Sequence, residues 1–435
     1  MAEAHKEAPE QQEIQPAAPA QTQRDQPAAP AQTQRDQSAA QAKGSSGGTA
    51  GRRAVIFLGG MLLGAGIAVG AMYAAGRGLL SAAARTKLAA LEKLIEKHYY
   101  QADSVTQEQL TEGMYEGLVD ALEDPYSVYY SADDVEALQE SISGTYVGIG
   151  AYVSKDETTG CPMISGVIED SPAEKAGLLV EDILWKADGE SLQDMDLDMA
   201  VSKIRGEKGT TVQLTIVREG EEMEIDVTRD EVASVTVAGE VLEEGIGYLQ
   251  IAEFDTVTSD QFVRKLQELQ AENIKGLILD LRGNPGGTVD AVTAIAEYLI
   301  PEGLIFYMQY PDGSTTKYET DGSNYSELPV VVLVNGNSAS ASEILSSAIQ
   351  DSGAGSVIGT QTYGKGVVQT LYSMGDGSAV RLTVAEYFTR NGNSIHKIGV
   401  TPDQVVELDT DAYLEDGTDN QLEAAKEAMR AVLAK

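Results

Sequence analysis

A single cysteine, Cys161, stands in 435 residues. No intramolecular disulfide can form and no cysteine-based zinc site can be built, so the fold must hold by its core in either redox compartment. Histidine is almost as scarce. His5 lies in a low-complexity tail, His98 in a helical stretch far upstream, and His396 near the end of the chain, so general-base chemistry has little imidazole to draw on. Basic residues are outnumbered, 31 Lys and Arg against 68 Asp and Glu, giving a net charge of -37. Residues 1–53 hold six charges of each sign, so the whole excess lies after position 76. An acidic body of this kind argues against nucleic acid or anionic lipid as its main partner.

Large apolar residues are nearly missing from the first fifty positions, where an 11-residue Gln-, Pro- and Ala-rich repeat runs from Gln15 to Asp25 and again from Gln26 to Asp36. Residues 1–53 are expected to be a disordered linker. Charge is then absent from Ala54 to Gly76, a run of 23 residues directly after Arg52-Arg53. That length spans a hydrocarbon layer of about 30 Å as a helix, so residues 54–76 are expected to be a membrane anchor. Basic residues flank the run on both sides, and charge alone does not orient it.

At this length two or three folded units are expected beyond the tail. The most informative stretch is residues 328–350. Val330 to Val334 shows no polar alternation, which suits a strand buried on both faces of a mainly parallel sheet. Asn335-Gly336-Asn337 breaks it, and Ile344, Leu345 and Ala348 fall on one stripe of a following helix. Ser338, Ser340 and Ser342 therefore sit at or near a helix start, beside backbone N–H groups that lack intrahelical partners and can hold an oxyanion. A serine needs a base. Downstream comes Tyr363-Gly364-Lys365-Gly366, a lysine bracketed by glycines, which can be buried and so brought toward its neutral form. Gln369, four residues on, could orient it.

These residues, with Asp280-Leu281-Arg282-Gly283-Asn284-Pro285-Gly286-Gly287, resemble the carboxyl-terminal processing proteases, membrane-tethered serine endopeptidases with a Ser-Lys dyad and an inserted PDZ domain; the resemblance runs from about Leu88 to Val406. It implies Ser340 as nucleophile, Lys365 as base and Gln369 as its support, with the Ala341 and Gly286 N–H groups as oxyanion hole. It implies no metal and no cofactor, and no catalytic role for His396. It places the N-terminus in the cytoplasm and the body outside, acting on protein or peptide substrates with accessible C-termini, a membrane-bound regulatory protein among the candidates. The reading from another class is a catalytically idle PDZ scaffold that tethers peptides at the membrane.

The same resemblance divides the chain. A helical segment over 85–143 carries Leu88, Leu91 and Ile95 on one stripe and Leu110, Met114, Leu118 and Leu122 on another, ending at Asp124-Pro125. It either packs on the body or mediates a homodimer. Residues 144–232 resemble a PDZ domain, with Tyr146-Val147-Gly148-Ile149-Gly150 as the loop that takes a peptide carboxylate and Met199 to Ile204 as the helix beside the groove. Residues 233–410 are expected to form a crotonase/ClpP-like α/β protease core, and 411–435 a C-terminal helix. Within that core the glycine loop after Asp280 could equally suit phosphate, but the lysine-serine pair of a P-loop is missing. Asp280 and Arg282 read as an ion pair or as chemistry.

Overall fold

The computed structural model describes residues 81–435. The expected tail and the expected anchor at 54–76 lie outside these residues. Among the described residues no helix is long and apolar enough to cross a membrane.

The N-terminal part holds α1 (Ala82–His98) and α2 (Gln107–Asp120), then β1 (Val128–Tyr130) and α3 (Ala132–Ser143). Thr106 starts α2 with a reciprocal capping box to Gln109. The helical reading of 85–143 is corrected at one place: Val128–Tyr130 is a strand, because it pairs antiparallel with Ala379–Arg381 some 250 residues away, a non-local partner that local pattern cannot reveal.

The next unit is a small antiparallel assembly. It contains β2 (Thr145–Gly148), β3 (Ala151–Lys155), β4 (Pro162–Val167), α4 (Pro172–Ala176), β5 (Ile183–Ala187), β6 (Glu190–Ser191), α5 (Leu197–Ile204), β7 (Thr211–Arg218), β8 (Glu221–Thr228) and β9 (Asp230–Ala233). Its sheet runs β3-β4-β5-β7-β8, and β2 pairs with β9 where the chain enters and leaves. A separate core of Ile164, Leu184, Leu192, Leu214 and Ile216 shows that it is a packed unit of its own.

The larger unit is layered. It begins with β10 (Val237–Val241), β11 (Ile246–Ile251), α6 (Thr258–Ala271), β12 (Gly276–Asp280) and α7 (Val289–Leu299). The hairpin β13 (Gly303–Gln309) and β14 (Thr315–Thr320) follows, then β15 (Val330–Val334), α8 (Ala341–Ser352) and β16 (Gly355–Gly359). The chain ends with β17 (Val367–Ser373), β18 (Ala379–Thr389), β19 (Gln404–Val405), α9 (Thr410–Asp416) and α10 (Asn420–Leu433). The main sheet has the order β10-β11-β12-β15-β16-β19 and is parallel from β11 onward.

Alternation along β15 explains its unbroken apolar run. Val330, Val332 and Val334 pack with Phe262, Ile295 and Ile344 of the helices on one face. Val331 and Leu333 pack with Ala425 and Met429 of α10 on the other. The single C-terminal helix expected over 411–435 is instead two, because Gly417 adopts φ 80° and ends α9 in a left-handed cap. Asp280 and Arg282 form an ion pair at 2.6 Å, and Arg282 also reaches Asp419 at 2.8 Å, which ties α10 to the sheet.

Candidate active site

Two loops leave the carboxyl ends of the adjacent parallel strands β12 and β15, where an open α/β sheet presents its crevice. They are fastened to each other. Gly283 N–H donates to Asn335 Oδ1 at 3.0 Å, and Ala339 N–H to the Asn284 carbonyl at 3.0 Å. Ser338 donates its hydroxyl to the Leu281 carbonyl at 2.8 Å, and Ser342 to the Asn284 carbonyl at 3.0 Å. Of the three serines in this run, two are thus structural fasteners. Ser340 is the exception: it is 0 % exposed and its Oγ has no hydrogen-bond partner among the described residues.

Ser340 sits at φ 54°, ψ -112°, immediately before α8. Left-handed φ at a non-glycine residue persists only where the surroundings impose it. Here Tyr387 Oη donates to the Ser340 carbonyl at 3.1 Å and Ser340 N–H donates to Glu343 Oε2 at 2.8 Å. Gly286, at φ 109°, backs onto the same residue: a Cβ placed there would lie 2.8 Å from Ser340 Cβ and 3.0 Å from Ala341 N. Only glycine permits that approach.

The lysine arrives through the same glutamate. Glu343 accepts from Thr362 Oγ1 at 2.5 Å, Gly364 N–H at 2.7 Å and, on Oε2, Lys365 N–H at 2.9 Å. One carboxylate oxygen therefore holds the main-chain amides of both Ser340 and Lys365, so the two nitrogens stand no farther apart than those two bonds placed end to end. Burial raises the Glu343 pKa, and its four hydrogen bonds oppose the rise.

Lys365 is 2 % exposed, and its Nζ has no hydrogen-bond partner among the described residues. It lies 5.1 Å from the centre of the Tyr126 ring. Burial pushes the amine down to about 7, the Arg381 guanidinium pushes the same way, and the Glu343 and Asp124 carboxylates pull back. Tyr126 belongs to the Asp124-Pro125-Tyr126-Ser127 turn. There Ser127 Oγ donates to Asp124 Oδ2 at 2.6 Å and accepts from Thr383 N–H at 3.1 Å.

The expected site residues fall as follows. Ser340, Lys365, Ala341 and Gly286 converge on the crevice, but no hydrogen bond joins Ser340 Oγ to Lys365 Nζ. Gln369 is 0 % exposed; its Nε2 donates to Thr383 Oγ1 at 3.3 Å and its Oε1 is unpartnered, so it is not bonded to the lysine. Ala341 opens α8, where an N–H has no intrahelical acceptor. Gly286 N–H instead donates to Asn284 Oδ1 at 2.8 Å. His396 packs against Gly366, beside the lysine, with its Nδ1 buried and unpartnered.

In the smaller unit Tyr146, Val147 and Gly148 lie in β2, and Ile149 and Gly150 follow it into the buried turn before β3. β3 is an end strand of its sheet, as capture of an extended peptide by strand addition requires. Sequence reasoning missed Glu343, Tyr126 and Arg381. The signal for Glu343 was its place three residues after the serine, the reach-back position of a helix cap.

Residues 245–406 match peptidase family S41, residues 163–218 match the PDZ domain, and residues 74–134 match the activating protease CtpB N-terminal domain. The carboxy-terminal processing protease CtpA of Bacillus subtilis is 37% identical over 72% of this chain and 67% of its own. CtpB of the same organism is 37% identical over 73% of this chain and 67% of its own. The carboxyl-terminal-processing protease of Synechocystis is 33% identical over 73% of this chain and 77% of its own. Among solved structures, the photosystem II D1 C-terminal processing protease aligns over 80% of this chain and 91% of its own, with 27% identity and a TM-score of 0.44. An unpartnered serine and a buried lysine on one carboxylate, in a chain with these relatives, lead to one assignment: the chain belongs to the carboxy-terminal processing proteases of peptidase family S41, serine peptidases that carry a PDZ domain.

Proposed function

We propose that the protein cleaves polypeptides near their C-termini with a Ser340-Lys365 dyad. The observation that carries this is the shared Glu343 oxygen, which holds both backbones at one point while both side chains stay unpartnered. The neutral Lys365 amine takes the hydroxyl proton as Ser340 Oγ attacks the scissile carbonyl. It returns that proton to the leaving amine, and water then hydrolyses the acyl-enzyme. Ala341 N–H faces the developing oxyanion; Gly286 N–H joins it on exchanging Asn284 Oδ1 for the substrate oxygen. The Gln369 Oε1 is the acceptor that steadies the ammonium once it forms.

Substrate must bring the amine off the Tyr126 ring and onto the serine, since catalytic hydrogen bonds often close only in the bound complex. The PDZ unit is the gate in this reading. The segment that carries Tyr126 continues through α3 directly into β2, so a peptide docked on the PDZ unit through Tyr146 to Gly150 can act on the base. Residues 54–76 anchor the chain in the cell membrane with the N-terminus cytoplasmic and the body outside. Leu91 and Leu94 on α1, Met114 and Leu118 on α2 and Leu122 just after it, all exposed, offer the apolar face for a homodimer.

The test is cleavage of an unfolded protein with a free C-terminus by the purified full chain, with new C-termini read by mass spectrometry. Ser340→Ala and Lys365→Ala should each reduce turnover at least about a thousandfold. Turnover at the wild-type rate in either variant overturns the dyad.

A further inference from the structure

A cavity of about 540 Å³ lies where the PDZ unit meets the protease core. Its wall includes Glu140 of α3, Tyr146 of β2, Tyr152 of β3, Glu253 and Asp255 after β11, and Pro285 of the loop that backs Ser340. Asp255 stands out among them. It is only 6 % exposed, yet its carboxylate takes no hydrogen bond and no ion pair among the described residues. Its main chain is fully used: Asp255 N–H donates to Thr258 Oγ1 at 2.9 Å, and its carbonyl accepts from Thr258 N–H at 3.1 Å. The carboxylate faces Gly144, where a Cβ would lie 2.9 Å from Oδ2, so the space before it exists because residue 144 has no side chain. Its oxygens are not among the fully buried side-chain atoms left without a partner, so they open onto the cavity, and a carboxylate enclosed to this degree is costly to charge unless a cation answers it.

We infer that this cavity is a subsite for a basic side chain of the polypeptide substrate, with the Asp255 carboxylate as the counter-charge for one Lys or Arg near the scissile bond. The inference rests on the proteolytic reading above and adds a specificity to it. Three observations fix the chemistry. The exposed Glu253 carboxylate stands beside Asp255 with the same sign, so only a cation answers both. The aromatic walls suit a cationic stem: Arg205 already lies 5.4 Å from the centre of the Tyr146 ring while pairing with Glu140 at 3.8 Å. The body as a whole, with a net charge of -37, draws cationic chains toward it.

The connection to the reaction is short. Phe254, the neighbour of Asp255, donates its N–H to the Gly286 carbonyl at 2.8 Å, and Gly286 abuts Ser340 Cβ. Asp255 is thus linked to Ser340 through one residue and two direct contacts, within the reach of a few extended substrate residues.

Burial, with Glu253 pushing the same way, raises Asp255 to about 7. The groups around it are Glu140, Tyr146, Tyr152, Glu253 and, through its contacts with Glu140 and Tyr146, Arg205. Asp255 is therefore largely neutral at pH 6 and anionic at pH 8, so preference for a cation grows as pH rises between them.

The experiment measures binding and cleavage separately. Full-length Ser340→Ala protein is titrated with fluorescein-labelled unstructured peptides, each carrying a single Lys, Gln or Glu at successive positions across the cleaved bond. At one position Lys should bind at least about tenfold tighter than Gln, and Glu weaker than Gln, at pH 8. The Lys preference should shrink at pH 6 and vanish in the Ser340→Ala/Asp255→Asn double variant. The chain with Ser340 intact should show the same positional preference in kcat/KM. Absence of any Lys-favoured position overturns the subsite, as does a preference that survives Asp255→Asn; the Glu series judges it even where that variant fails to fold. Cleavage without Lys preference removes the subsite and leaves the proteolytic reading standing. Lys-selective binding that depends on Asp255, without cleavage, does the reverse.

Discussion

Replacing Lys365 by Met should end turnover and make the protease core more stable, by an amount that falls as pH rises. The amine is pushed from 10.5 to about 7 by burial, so in the unfolded chain it keeps its proton to much higher pH than in the folded one. Between those two values the unfolded state holds one more proton, and wild-type stability rises by about 1.4 kcal/mol per pH unit. Below pH 7 both states are protonated and the full penalty of a buried ammonium is present, of order 5 kcal/mol from the whole shift. Met has similar length and no charge to bury, so the variant escapes that penalty. Its advantage should be greatest at and below pH 7 and roughly 3 kcal/mol smaller at pH 9. Asp255 does not confuse this window. Its folded pKa is raised, so its contribution declines with rising pH from 3.8 to about 7 and is flat above. Tryptophan emission is the wrong probe, since the one tryptophan, Trp185, lies in β5 of the PDZ unit. Amide hydrogen exchange in β12 and β15 reads the core directly. A variant less stable than wild type, or a difference that does not change between pH 7 and 9, refutes the claim that the lysine is held against its preferred charge state.

Gly286→Ala places a methyl 2.8 Å from the Ala339 carbonyl oxygen and from Ser340 Cβ at φ 109°. It should cost about 2–3 kcal/mol and lower kcat/KM at least about a hundredfold, checked by thermal unfolding and peptide turnover. Glu343→Gln sets an amide donor among four donors and should destabilise by about 1–3 kcal/mol while lowering kcat far more than it changes KM. A wild-type kcat in that variant would remove Glu343 from the site. Arg282→Ala leaves Asp280, 1 % exposed, without its cation and detaches Asp419. Urea denaturation should show a loss of about 3–5 kcal/mol, part of it recovered when Asp280→Asn is added.

The parts of this fold that sequence alone made legible share a physical cause. Val330–Val334 is buried on both faces, so its apolar run is unbroken, and Val289–Leu299 follows a glycine turn with helical periodicity throughout. Elements stabilised by distant partners were hidden. The hairpin of Gly303–Gln309 and Thr315–Thr320 was not anticipated, and Val128–Tyr130 became a strand only because β18 was there to receive it. At the site, residue type and spacing selected Ser340 and Lys365. They could not show that Glu343 would clasp both amides, because that requires the 362–365 loop to fold back over the start of α8. Nothing in the sequence singles out Glu253 or Asp255. Nothing local announces that Asp255 is enclosed by Gly144, a residue more than a hundred positions earlier.

Three unfavourable features meet at this crevice: a serine at φ 54°, a lysine held near its titration point, and a glutamate whose burial resists ionisation. Each is tolerable only where its surroundings are over-determined. The surroundings here are loops cross-linked by Gly283 to Asn335, Ala339 to Asn284, Ser338 to Leu281 and Ser342 to Asn284, rooted in strands buried along their whole length. A backbone fastened in this way cannot serve as the moving part, since loosening it would release the strain that positions the serine. Apart from the Gly286 to Asn284 side-chain bond that substrate displaces, the part free to change state is the side chain of Lys365, resting over Tyr126 with no hydrogen bond to hold it. The lysine and the ring above it are therefore the point at which the proposed gating would act. That ring comes from the N-terminal segment which leads into the PDZ unit, outside the sheet that bears the serine.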